Sequence, residues 1–244
     1  MIRAALTAEL VKIATVRGFR VGTVAATLAL PLTSLLVVSG GGLGARDTVT
    51  SGAASGSMVL LAGFGAWAAA VASSEYTQRT LIVSLATVPR RPLLYGAKIA
   101  ATATVAGAGA LVGAALSFAL VAAVTPPGHR TGDPVALAGT ALTAVAVAAV
   151  GAAVGVLTRS ATASTAIVLA ALLLPKAAAG LLGSLQPWVV GASPGTVVTQ
   201  VVHGAQLSTD QSFPAGTTIA AVTMVVTAAI VVCLGGLTFA RRDG

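Results

Sequence analysis

The sequence predicts an all-α, polytopic membrane protein with six transmembrane helices. Three observations predict it. Of 244 residues, 56% are hydrophobic and only 8% charged, where a soluble domain carries about 25% charged residues. Mean hydropathy is +0.96. The few charges stand in groups, separated by uncharged stretches long enough for the ~20 residues of helix that cross a bilayer. So little charge cannot clothe a water-facing surface, which excludes both a soluble globule and a disordered chain.

The charges mark the spans in order. Arg20 and Arg46 enclose 25 uncharged residues, which place span one at 21–40. Asp47 and Glu75 enclose 27 and give span two at 58–74. Lys98 and Arg130 enclose 31, for span three at 99–124, and Asp133 and Arg159 enclose 25, for span four at 135–158. Span five is expected at 161–185, with Lys176 snorkelling to one interface. Span six covers 217–240 and closes on Arg241 and Arg242. An even count puts both termini on one side. With that side cytoplasmic, 11 of the 14 Lys and Arg lie inside and only Arg46, Arg130 and Lys176 outside, as the positive-inside rule requires. The reading is a bacterial plasma-membrane protein with cytoplasmic termini.

The net charge of +8 therefore records orientation rather than nucleic-acid binding, and 4% aromatics are too few for a base-stacking surface. The single cysteine, Cys233, can form neither an intrachain disulfide nor a cysteine-based metal cluster. Residues 1–20 read as an amphipathic interfacial helix on the inner membrane surface. Ile2, Leu6, Leu10, Ile13 and Val16 follow helical spacing, and Arg3, Lys12, Arg17 and Arg20 lie off that stripe. Residues 21–244 form the six-span domain. Its segment 41–57, rich in Gly, Ser and Thr, is expected to be a flexible loop. Segment 186–216 is the longest outer stretch, with Trp188 as an interface anchor.

Segment 75–98, EYTQRTLIVSLATVPRRPLLYGAK, is too long for a turn and is patterned. Leu81, Leu85 and Val88 fall at i, i+4 and i+7 on one helix face. Pro89 is expected to end that helix, with Arg90 and Arg91 favouring its C-terminal dipole. A short amphipathic helix tied at both ends to spans can dock in a soluble partner and transmit its movement.

Here the chain resembles the permease subunit of a type-two ATP-binding cassette (ABC) exporter. The resemblance covers an N-terminal amphipathic helix, six spans, a long inner segment after span two and a long outer segment before span six. Its most specific part is Glu75, Thr80, Leu81, Pro89, Arg90, Arg91 and Lys98 in that order, with Arg79 where the family usually has glycine. The resemblance implies that two such permeases, identical or paralogous, form the pathway. It implies that separate ATPase subunits, carrying ATP and Mg²⁺, grip a coupling helix that includes Glu75, Tyr76, Arg79, Thr80, Leu81, Leu85, Val88, Pro89, Arg90 and Arg91. It also implies that spans two and five line the pathway and that the 186–216 segment holds short helices dipping into the outer leaflet. One part stands independently of it. The only lysines, Lys12, Lys98 and Lys176, are followed by Ile13, Ile99 and Ala177, so none is a P-loop lysine. No catalytic, metal-ligating or cofactor-binding residue is expected on this chain.

Weaker signals complete the reading. Gly109-x-x-x-Gly113 and Gly151-x-x-x-Gly155 suit close helix packing in lipid. Phe64 and Trp67 in span two, and Thr162, Ser164 and Thr165 in span five, are candidate pathway-lining residues. For the hydroxyls the plainer alternative is bonding to their own helix backbone. For the rings it is packing or lipid contact. Gly191-Ala-Ser-Pro-Gly195, followed by His203 and Asp210, matches the G-x-S-x-G pattern, which requires a strand-turn-helix setting absent here. Two other functions compete with the exporter. An ion-coupled secondary transporter or channel calls for intramembrane acids or histidines, which the spans lack. An intramembrane hydrolase would rest on Ser193.

Overall fold

The computed structural model describes residues 2–44, 46–77, 91–203 and 212–241. Among them every regular element is helical: α1 (Ile2–Thr15), α2 (Arg17–Ser39), α3 (Val49–Ala54), α4 (Ser57–Thr77), α5 (Arg91–Val124), α6 (Ala138–Thr158), α7 (Ala161–Ala177), α8 (Gln186–Gly191), α9 (Pro194–His203) and α10 (Thr217–Arg241). Five stretches are long and apolar enough to cross a membrane: α2, α3 with α4, α5, α6 with the 3₁₀ turn before it, and α10. By length and composition this is a multi-pass helical membrane protein.

Helix α7 departs from expectation. The apolar pattern predicts helix to 185, but α7 stops at Ala177 after 17 residues. Gly180 and Gly183 follow within two 3₁₀ turns, and Gly183 adopts φ +52°, a conformation that side-chain-bearing residues rarely take. Seventeen residues rise about 25 Å, short of the ~30 Å hydrocarbon core. Even so, α7 starts beside Arg159, near the C-terminal end of α10, and its Lys176 lines a cavity with Asp47 at the opposite end of the bundle.

The 41–57 segment is also more ordered than its composition predicts. Thr48 caps α3, accepting from the Ser51 amide at 3.1 Å, while Ser51 Oγ accepts from the Thr48 amide at 2.9 Å. This reciprocal capping box satisfies two free amides in a six-residue helix. The Ala53 carbonyl at its other end accepts from Ser34 of α2 and Ser117 of α5, at 2.9 and 2.7 Å. Such hydroxyls glue helices where no water competes.

The centre of the bundle is α4 against α6. Within their most apolar windows 61% of residues are buried, against 28% in α2 and 22% in α10. These two peripheral helices turn Val24, Leu28, Leu32 and Val222, Val226, Ile230 outward, which suits lipid. Gly151 and Gly155 of α6 meet the Gly65 and Ala69 carbonyls of α4, and Gly109 and Gly113 of α5 meet Phe64 and α2. Both glycine pairs thus pack helices within this chain. Pro31 in α2 lacks the amide that would bond the Thr27 carbonyl. That same carbonyl faces Gly113, where only a glycine lets α5 come so close.

Candidate functional site: a buried ion cluster at the root of residues 78–90

Four charged side chains meet where α1, the end of α4 and the start of α5 converge. Lys12 Nζ donates to Glu75 Oε1 at 2.9 Å and lies 3.4 Å from Glu9 Oε2. Lys98 Nζ lies 2.8 Å from Glu9 Oε1 and also pairs with Glu75 Oε1. Side-chain exposures are 7% for Glu9, 23% for Lys12, 5% for Glu75 and 3% for Lys98. Two acids and two bases sum to zero, which is what makes their burial tolerable, since a lone buried ion costs several kcal/mol. Glu75 Oε1 is shared by both ammonium groups, and among the described residues Glu75 Oε2 has no hydrogen-bond partner.

The elements explain why these four meet. Glu9 and Lys12 are one helical turn apart on α1. Ala5, Glu9 and Ile13, at i, i+4 and i+8, form the buried face of α1. The expected stripe is therefore rotated: Ile2 and Val16 are exposed, and the buried face carries an acid at its centre. Glu75 ends the long apolar run of α4. Lys98 lies two turns inside α5, because α5 starts at Arg91 and not at the expected 99. Arg91 opens α5; Pro92 beside it suits a first turn, where its missing amide costs nothing.

A second contact braces the same end. The Arg159 guanidinium stands 5.4 Å over the Tyr76 ring, a cation–π distance. Arg159 caps α6 in the left-handed region at φ 55°, its amide donating to the Gly155 carbonyl at 3.1 Å.

Burial works against the Lys12 ammonium, but the Glu9 and Glu75 carboxylates outweigh it and raise its pKa above the ordinary 10.5. A raised lysine stabilises the fold fully below its unfolded pKa and loses that contribution as pH climbs through the folded value. The melting temperature of the detergent-solubilised chain should therefore show no Lys12-dependent change from pH 7 to about 10. It should then fall above 10.5, with Lys12→Met lacking that part of the fall. Equal alkaline profiles for both chains would show that Lys12 is not held by its carboxylates.

Of the predicted coupling residues, Glu75 and Tyr76 lie at the end of α4 and Arg91 begins α5. Arg79, Thr80, Leu81, Leu85, Val88, Pro89 and Arg90 lie outside the described residues. Phe64 is fully buried and edge-on to Trp67, with centroids 6.0 Å apart, and Trp67 Nε1 donates to the Phe19 carbonyl at 3.0 Å. Ser164 is buried and bonds its own helix through the Ser160 carbonyl at 2.8 Å. Thr162 is exposed. Trp67 and Thr165 share an open groove of about 760 Å³ between α2, α4 and α7, lined by small residues such as Gly18, Gly22, Ala29 and Ala66.

The hydrolase pattern does not assemble. Ser193 precedes α9 and His203 ends it, so ten residues of helix hold them roughly 15 Å apart. Ser193 Oγ pairs with Thr196 Oγ1 at 3.0 Å. Asp210 lies outside the described residues. Among the described residues no three His, Cys, Asp or Glu side chains come together.

Sequence reasoning missed Glu9 and the pairing of Lys12 and Lys98 with acids. The available signal was an acid in register with Ala5 and Ile13. Compared with known proteins, the chain matches no family model and no curated protein.

Proposed function

We propose that this chain is the membrane-spanning permease subunit of an ATP-driven type-two ABC exporter, working as a dimer with separate ATPase subunits. The observation that carries this reading is the ion cluster. It fastens the helix before residues 78–90 to the helix after them, and both to α1. A force applied to that segment would move α1, α4 and α5 as one body instead of bending a loop. In this reading α7 is span five, which brings the count to six, and the cluster faces the cytoplasm. The groove between α2, α4 and α7 is the wall of the pathway, closed by a second copy, since Gly and Ala let helices approach closely in lipid. The absence of a P-loop lysine fits an energy source on another chain.

The test is co-purification with a separate P-loop ATPase. Leu81→Asp, Leu85→Asp and Val88→Asp together should cut recovery of the complex at least tenfold, while membrane insertion and the gel-filtration profile stay unchanged. Recovery of an undiminished complex from the triple variant rejects the docking face. Failure of any P-loop ATPase to co-purify with the wild-type chain rejects the exporter reading.

A further inference from the structure

The end of the bundle opposite the ion cluster holds a second cavity, of about 270 Å³, walled by the end of α2, α3, the first residues of α4, the last turn of α7 and one side of α9. Its lining is about half polar and carries two opposite charges, Asp47 and Lys176. No ion pair within 4.0 Å joins them, and among the described residues Lys176 has no acidic partner.

The wall between these charges is rich in acceptors. Ser51, Ser55 and Thr199 spend their hydroxyl protons on the carbonyls of Thr48, Gly52 and Gly195, at 2.8, 2.8 and 2.9 Å. Only lone pairs are left for a ligand, and on Ser51 only one, since its Oγ also accepts from the Thr48 amide. His203 Nδ1 lies 3.1 Å from the Thr199 carbonyl. A carbonyl can only accept, so Nδ1 bears the proton, and in the neutral ring Nε2 is another acceptor. His203 Nε2 and Asp47 Oδ1 stand 3.9 Å apart, a gap that one N–H-bearing cation can bridge. Asp47 is fixed in place from two sides. Its Oδ2 accepts from the Gly44 amide at 2.7 Å, and its carbonyl oxygen meets His129 Nδ1 at 3.1 Å.

This cavity lies above the apolar groove on the same three helices. On α4 the two are adjacent, at Met58 and Val59, and on α2 they are separated by the helix from Ala29 to Val37, roughly 12 Å long. We propose that the cavity binds the zwitterionic head of an amphiphile, its primary ammonium bridging Asp47 and His203 and its phosphate on Lys176, with the apolar tail in the groove between α2, α4 and α7. The placement of the tail rests on the reading of that groove as pathway; the headgroup site does not.

The experiment needs no ATPase, so its failure is separable from failure of the exporter reading. The full-length chain in neutral detergent is titrated with a short-chain phosphatidylethanolamine, and binding is read by thermal shift and by Trp67 and Trp188 fluorescence. Saturable binding is expected, weakened at least tenfold by Asp47→Asn and by Lys176→Gln. Phosphatidylcholine, whose trimethylammonium has no N–H, and phosphatidylglycerol, which has no ammonium, should bind at least tenfold more weakly. Equal binding of the three lipids, or unchanged binding by both variants, overturns the headgroup site. Free phosphoethanolamine binding as tightly as the lipid would overturn the tail placement and make a soluble zwitterion the ligand.

Discussion

Lys98→Met is expected to destabilise the chain by about 3–5 kcal/mol, the usual cost of removing one partner from a buried ion pair. Lys98 is 3% exposed and contacts both acids of the cluster. Methionine fills a similar volume, so the packing loss is small and the loss of charge dominates. Among the described residues Glu9 and Glu75 then share only Lys12, leaving one negative charge buried. For a chain of this size the melting temperature should fall by about 10 °C. The double variant Lys98→Met with Glu9→Gln restores neutrality around the remaining Lys12–Glu75 pair and should recover most of the loss. A single variant that melts within a degree of wild type, or a double variant no better than the single, would show that the cluster is not the electrostatic unit described here.

The same arithmetic separates stability from geometry. Replacing all four charges by Gln and Met removes the desolvation cost along with the attraction, and such exchanges are often neutral or stabilising. The cluster is therefore a poor device for stability alone. What it supplies is register. Lys98 reaches its acids only when α1 sits one particular way on α5, and Lys12 only when α4 ends at one particular height. A four-fold variant that folds well but no longer transmits force would fit the proposed coupling.

Much of this was legible in the sequence, and the omissions have a common cause. The helical class and the ends of α2, α6 and α10 followed from charge spacing, because bilayer thickness sets span length regardless of tertiary contacts. The glycine pairs of α5 and α6 were readable for a similar reason: close approach in lipid needs small residues whatever the partner. The ion cluster was not readable. Lys12 and Glu75 are 63 residues apart, and Lys98 and Glu9 are 89 apart, so their meeting depends on how three helices are placed. The α3 capping box was lost for the opposite reason. A stretch of Gly, Ser and Thr reads as a loop, while Thr48 and Ser51 are also capping residues. Span five failed at its end because apolarity continues past Ala177, although Gly180 and Gly183 already break the helix.

Gly151→Val and Gly155→Val are expected to destabilise the chain strongly, and together to approach the loss of Lys98, by a different mechanism. On α6 these residues are one turn apart and face the Gly65 and Ala69 carbonyls of α4. A Cβ at position 155 would stand 2.5 Å from the Ala69 oxygen, and a backbone atom has no rotamer to escape by. The helices must separate, and α4 against α6 is the most buried pairing in the bundle. Overpacking of this kind costs about 1–3 kcal/mol per site. The two sites share one interface, so their effects should not simply add. Gly96 supplies the control. It sits in α5 with nothing within 4 Å of a Cβ, so Gly96→Ala should be neutral or should gain up to about 1 kcal/mol from helix propensity. Thermal unfolding in one detergent, followed by gel filtration, reads all three variants together. If Gly155→Val melts no earlier than Gly96→Ala, then α4 and α6 do not touch backbone to backbone. In the proposed coupling, the ion cluster at the foot of α4 would then lack the stiffest of its contacts with the rest of the bundle.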